Sequence, residues 1–201
     1  MTAATKNITI TKGDTFSLVL RWEIAPFVYK AITAITKAAP ARITATAHGM
    51  VDGWRAAIVS VVGMREINSK NTSPRSTDFH KVTYVDANTV DINDVNSALY
   101  TAYTSGGYLQ YYTPASLASY TARMQVRPTA DDTATPLISL TDSSGIALSD
   151  AAKTITITIT AAVTAALTAT AGVYDLELVS AAGVVTKLLQ GAVVIASEVT
   201  K

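Results

Sequence analysis

The sequence predicts an all-β fold: a β-sandwich with a second β-domain inserted into one of its loops. Three observations carry that prediction. Apolar and polar residues alternate with period two in one segment after another, most cleanly in KTITITIT at 153–160, where isoleucine takes one face and threonine the other. Turn-forming residues such as HGMVDG, DAN, DSSG and AAG separate these segments. Between Trp22 and Tyr120 the texture changes to a block with its own strands and turns. This places an insert at residues 30–113 within an outer domain of residues 1–29 and 114–201.

The outer domain begins with KNITITKG, where Ile8 and Ile10 oppose Thr9 and Thr11 before a turn at Gly13. DTFSLVLRWE follows, with Phe16, Leu18, Leu20 and Trp22 on one face. In the insert, ARITATA alternates, HGMVDG turns and WRAAIVSVV is a strand. GMREIN has the length of one helical turn, and KNTSPRSTD is a polar loop around Pro74. KVTYVDANTVDI reads as a hairpin about DAN, and TSGGYLQYYTP closes the block at Pro114. The outer domain resumes with YTARMQVR, whose Ala122, Met124 and Val126 share a face, and with the short strand PLISLTD. In the 153–160 strand Ile155, Ile157 and Ile159 point inward. The alanine-rich AAVTAALTA reads as a helical turn over one end of the sandwich. VYDLELVS puts Tyr174, Leu176 and Leu178 inside, and VVTKLLQGAVVIAS supplies two closing strands with Gly191 as a bend or bulge between them.

Composition narrows function. The chain has 201 residues, 16 basic and 15 acidic, and only 15% are charged against a usual share of about 25%. Threonine and alanine fill roughly a third of it, so hydroxyls and methyls rather than ion pairs dress the surface. Such a surface repels partners weakly and suits permanent assembly. There is no dense basic run for nucleic acid and no cysteine for a disulfide or thiolate metal site. No apolar run approaches 18 residues, and MTAATKNITI lacks the apolar core of a signal peptide.

Two sets of stretches resemble known families. TKGDTFSLVLRWE, YTARMQVRP and GVYDLELVSAAGVVTKLLQGAVVIASEVTK resemble bacteriophage tail proteins related to the N-terminal domain of the baseplate upper protein. A Tyr-Asp-Leu strand, a glycine turn, a strand running into LLQG and a final EVT recur in that order in such proteins. That resemblance implies a small immunoglobulin-like β-sandwich in a virion. ITAITKAAPARITATAHGMVDGWRAAIVSVVGMREIN, VTYVDANTVDI and YTAYTSGG resemble the β-barrel module called the first catalytic-cysteine half-domain of ubiquitin-activating enzymes, a module also identified in phage tail proteins. It implies a small inserted barrel. It implies no ubiquitin chemistry, because the chain lacks cysteine.

Candidate chemistry is sparse. His48 in TAHGM reads as a turn histidine bonding backbone, since no second ligand stands at metal-like spacing. His80 reads as solvated. Ser143 and Ser144 lie in a turn and no G-x-S-x-G elbow occurs. DINDVN at 91–96 lacks the spacing and closing glutamate of a calcium loop. Asp131 and Asp132 read as a loop tip rather than paired catalytic carboxylates. TSGG is too short to cradle a phosphate. Tyrosines cluster at 100, 103, 108, 111 and 112. Of these, Tyr103, Tyr108, Tyr111 and Tyr112 are the candidate interface residues, with core packing and carbohydrate contact as the other two readings. In the core reading, Tyr108 and Tyr112 fill the barrel and Tyr111 faces out. Trp22 and Trp54 anchor their respective cores.

The expected function is a non-enzymatic structural subunit of a bacteriophage virion, in the tail, baseplate or neck, assembled in the bacterial host cytoplasm. Its partners would be other virion proteins and symmetric copies of itself. Nucleic acid, membrane, small-molecule substrate, metal and cofactor are not expected. Two alternatives stand beside it: a capsid decoration or head-fibre protein, and a carbohydrate-binding host-recognition module with Tyr111 in a shallow groove.

Overall fold

The computed structural model describes residues 3–71, 73–131, 133 and 135–198. Asp132 of the TADDTATP loop and Val199 and Thr200 of the final EVT lie outside the described residues. The chain is all-β and divides into two compact units, Met1–Trp22 with Ser116–Lys201, and Glu23–Ala115. Strands β1 (Ala4–Thr5), β2 (Ile8–Thr11) and β3 (Phe16–Leu20) belong to the outer unit. The inserted unit holds β4 (Glu23–Ala31), β5 (Ala34–Ile35), β6 (Ala41–Thr44), β7 (Arg55–Val62), β8 (His80–Asp86), β9 (Thr89–Ile92) and β10 (Ser105–Pro114). The outer unit resumes with β11 (Thr121–Arg127), β12 (Ile138–Thr141), β13 (Ile146–Ser149), β14 (Thr154–Ile159), the short helix α1 (Ala161–Ala165), β15 (Ala171–Val179) and β16 (Val185–Ala196).

The junctions therefore stand at 22/23 and 115/116, not at 29/30 and 113/114. Pairing is the reason. β4 runs antiparallel to β10 from Ala31↔Tyr108 to Glu23↔Pro114, so both strands belong wholly to the insert. Its entering and leaving strands are thus hydrogen-bonded neighbours, which lets a second domain sit in one loop of the first.

The outer unit is a sandwich. One sheet has the order β1-β16-β15-β11-β12, with β2 also pairing β16; the other has the order β13-β14-β3. Alternation makes each strand two-faced, and the apolar faces meet. Ile8 and Ile10, Met124 and Val126, Leu176 and Leu178, and Ile155, Ile157 and Ile159 form one buried cluster. Phe16, Leu18, Leu20 and Trp22 pack against it from β3 and its end. Trp22 meets Tyr120 edge-on, with ring centroids 5.8 Å apart. Thr160 caps α1 by accepting from Val163 N–H.

The last strand differs from expectation. Residues 185–196 form one continuous strand, not two, with a bulge opposite Leu176/Glu177. Gly191 does not end it, and the bulge lies elsewhere. Any side chain there would collide with the Lys6 carbonyl of the segment joining β1 to β2, so glycine lets two backbones pass closely. Around it Lys6 N–H bonds Gln190 O, the Tyr174 hydroxyl bonds Lys6 O at 2.7 Å, and Asn7 Oδ1 accepts Ala192 N–H.

The inserted unit holds a seven-stranded sheet in the order β4-β10-β7-β8-β9-β6-β5. Ile32 N–H bonds Gly107 O on β10, and the next residue, Thr33, bonds Thr44 O on β6. The two end strands are thus consecutive in the chain, but no ladder pairs them, so the expected barrel is not closed by hydrogen bonds. Trp54, wholly buried, centres a core with Ile43, Ile58, Met64, Ile92, Leu109 and Tyr111. Its indole N–H donates to Tyr112 O at 2.9 Å.

Candidate functional site

β10 brings most of the candidate tyrosines together, and its parity sorts them. Leu109 and Tyr111 face the core while Tyr108, Gln110 and Tyr112 face the other way. Tyr111 is 2% exposed and donates its hydroxyl to His48 O; burial pushes that phenol up to about 12. The outward-facing Tyr111 of the sequence reading is corrected, and a groove built on Tyr111 goes with it. Tyr108 is 44% exposed and meets Tyr29, 54% exposed, edge-on at 6.2 Å. Tyr112 is half-buried and stacks on Phe27 at 4.0 Å, and Phe27 stacks in turn on Phe79 at 6.0 Å. The Arg55 guanidinium lies 5.3 Å from the Phe79 ring centre and holds Glu23 through two bonds of 2.5 and 2.6 Å. This ring layer explains why Gln110 and Ala57, on the same face, are buried. Tyr103 is half-buried, its hydroxyl 2.9 Å from Ile32 O and 3.0 Å from Gly106 O. Of the four candidates, only Tyr108 presents a largely free ring. Its partner Tyr29 was missed by sequence reasoning, because only the β4–β10 register brings the two together.

The remaining polar candidates are committed to local structure. His48 is 1% exposed; its Nδ1 accepts Met50 N–H at 3.1 Å, so the ring proton sits on Nε2 and donates to Asp86 O at 2.8 Å. That is the expected turn histidine. His80 is not simply solvated, since its Nδ1 lies 2.8 Å from Asp94 Oδ2. The DINDVN oxygens diverge. Asp91 grips Arg42 through two bonds of 2.7 and 2.9 Å, Asp94 faces His80, and Asn96 accepts Ala98 N–H. Asp131 accepts from Thr133 N–H and Oγ1 within its own loop. Ser143 and Ser144 lie in the turn after β12. Asp150 binds Lys153, Leu117 N–H and Ser116 Oγ; chiefly the Lys153 bond holds its carboxyl down to about 2.

The two sheets of the outer unit present different faces to solvent. The larger one bears a shallow trough of about 760 Å³ crossed by ion pairs, Arg123–Glu177 at 2.7 Å and Lys187–Asp175 at 2.8 Å. Arg127 lines the same trough, its guanidinium bonded to Gln125 Oε1 at 2.9 and 3.0 Å. The smaller sheet carries no charge at its centre. Thr156 stands between Val19, 56% exposed, and Ala147, and Thr158 stands beside Ser17. The one face is cross-linked by ion pairs and the other is uncharged at its centre.

No protein-family model matches the chain, and no curated protein matches it. No helix among the described residues is long and apolar enough to cross a membrane.

Proposed function

We propose that this chain is a non-enzymatic structural subunit of a bacteriophage virion, in the tail, baseplate or neck, that works by assembly and by attaching other virion components. Two things support the reading. One is the resemblance of the outer stretches to tail proteins and of the insert to a module identified in such proteins. The other, which carries it, is the uncharged outer face of β13-β14-β3. There threonine hydroxyls and the Val19 and Ala147 methyls stay wettable in a free subunit and shed water at little cost on docking. Its partners on this reading are copies of itself and other virion proteins, and its place is the assembled particle. The titratable groups at the candidate positions serve turns, caps and cross-strand pairs, a distribution that favours a scaffold over a reaction centre.

The test is a map of the purified particle with this chain located in it, backed by mass spectrometry of the virion. Several copies arranged around the tail axis are the expected result; copies on capsomers would replace the reading with capsid decoration. A protein absent from particles would overturn both. The exposed Tyr29–Tyr108 pair keeps the carbohydrate alternative open on one specific surface, and a glycan-array signal lost on Tyr108→Ala would favour it.

A further inference from the structure

In the inserted unit, segment 45–50 is clasped onto the β8–β9 hairpin turn, and His48 stands at the centre of the clasp. Ala45 N–H bonds Asn88 O at 2.7 Å, Ala47 N–H bonds Asn88 Oδ1 at 2.9 Å, and His48 N–H bonds Ala87 O at 3.2 Å. The Tyr111 hydroxyl reaches the His48 carbonyl from β10. None of these groups gains or loses a proton between about pH 5 and 8.

The imidazole is the exception. Its Nδ1 accepts Met50 N–H at 3.1 Å and its Nε2 donates to Asp86 O at 2.8 Å. Only the neutral ring with its proton on Nε2 satisfies both bonds. A second proton, on Nδ1, would set one N–H against another. At 1% exposure the ring cannot simply turn to bulk water for a new acceptor.

The surroundings help the ring to carry a positive charge. The Asp86 carboxylate acts on it and is shared with Arg42. Asp52 holds Tyr84 N–H at 3.0 Å, and the Tyr84 ring meets the imidazole edge-on at 5.9 Å. Tyr111 is neutral, its phenol pushed up to about 12 by burial. Together with Ala47, Gly49, Met50, Tyr84 and Ala87, the ring borders an open hollow of about 370 Å³, a way in for solvent.

The peptide between Gly49 and Met50 is the part with room to respond. Gly49 sits at φ +69°, and a Cβ there would meet nothing within 4 Å, so space and conformational freedom coincide. Rotating this peptide replaces Met50 N–H by Gly49 O as the group facing Nδ1. The Met50 side chain, 2% exposed in the core, can stay where it is.

We infer that acid flips the Gly49–Met50 peptide: His48 takes a proton from solvent on Nδ1, Met50 N–H turns away, and Gly49 O turns in to accept the new N–H. Asp86 O holds Nε2–H throughout, so the clasp is rewired rather than released, and the surface at the 47–50 turn changes. This switch stands independently of where the chain assembles. His80 needs no such rearrangement, since its Nδ1 already lies 2.8 Å from an Asp94 carboxylate oxygen that suits a charged ring.

The chain has two histidines, so nitrogen NMR can follow both rings. Protection of the Met50 amide against hydrogen exchange, corrected for the intrinsic rate, is measured at about pH 7.5 and about pH 5. The expected result is a loss of about tenfold or more at Met50, in step with protonation of His48 Nδ1. Ile43 and Val90, paired in the β6–β9 ladder, should hold theirs. His48→Gln offers an acceptor and a donor without a titrating ring, and should protect Met50 alike at both pH values. Unchanged Met50 protection in the native chain at the lower pH, or an equal loss in His48→Gln, would overturn the switch. Should the variant not fold, the native chain decides alone: Met50 protection lost while His48 Nδ1 stays bare would overturn it as surely.

Discussion

Tyr111 and Tyr112 are chain neighbours on β10 with opposite surroundings. Tyr111 closes the core of the insert against the His48 turn, while Tyr112 lies in the ring layer with Phe27. In YLQYY either parity looks plausible, since one face offers Tyr108, Gln110 and Tyr112 and the other Leu109 and Tyr111. Counting aromatics favours the wrong face. What decides is that the outer face is also covered, by rings from β4 and from Phe79, and that register is invisible in one strand. Replacing Tyr111 by Phe strips the buried His48 carbonyl of its donor and is expected to cost about 1–3 kcal/mol by urea denaturation. Tyr108→Phe, at a half-exposed ring, should stay within about 0.5 kcal/mol. Matching small losses at both positions would remove the His48 anchor from the account.

At the level of the element, β14 shows how much a strand's pattern conveys. Ile155, Ile157 and Ile159 are no more than 1% exposed, and the intervening threonines are half-exposed. Ile157→Ala is expected to lower stability by about 2–5 kcal/mol, whereas Thr156→Ala should change it by less than about 0.5 kcal/mol. A large loss at Thr156 in the free protein would mean that its face is already packed. The same alternation made β2, β3, β6, β11 and β15 legible, β7 showed as a β-branched apolar run, and the DAN hairpin and alanine-rich helix followed from turn and helix propensity. Three features were not legible, each because a remote segment decides it. β16 runs through Gly191 because the β1–β2 crossing needs the space. β4 belongs to the insert because β10 pairs with it. The insert is an unclosed sheet rather than a barrel because β4 and β5, though consecutive, share no ladder. Of the site, the histidine at its turn was legible; the Tyr29–Tyr108 pair was not, since it arises only from the β4–β10 register.

For the whole molecule, the two cores share no residue: one centres on the isoleucines of β14, the other on Trp54. The insert leaves and re-enters through Glu23 and Pro114, paired across one ladder and so about 5 Å apart at Cα. Joining Trp22 to Ser116 through a short glycine-serine linker, with residues 23–115 removed, should therefore leave a folded sandwich, read as slow amide exchange in β15 and β16. A molten product would show that the outer core needs its passenger.

The bond between Asn7 and Ala192 spans 185 residues. During synthesis β2 leaves the ribosome long before the strand it pairs with exists. At about 5–20 residues per second, the wait is roughly ten to forty seconds. Every strand of the insert emerges within that interval, so the domain in the middle can finish folding while the one that encloses it is still missing its final edge.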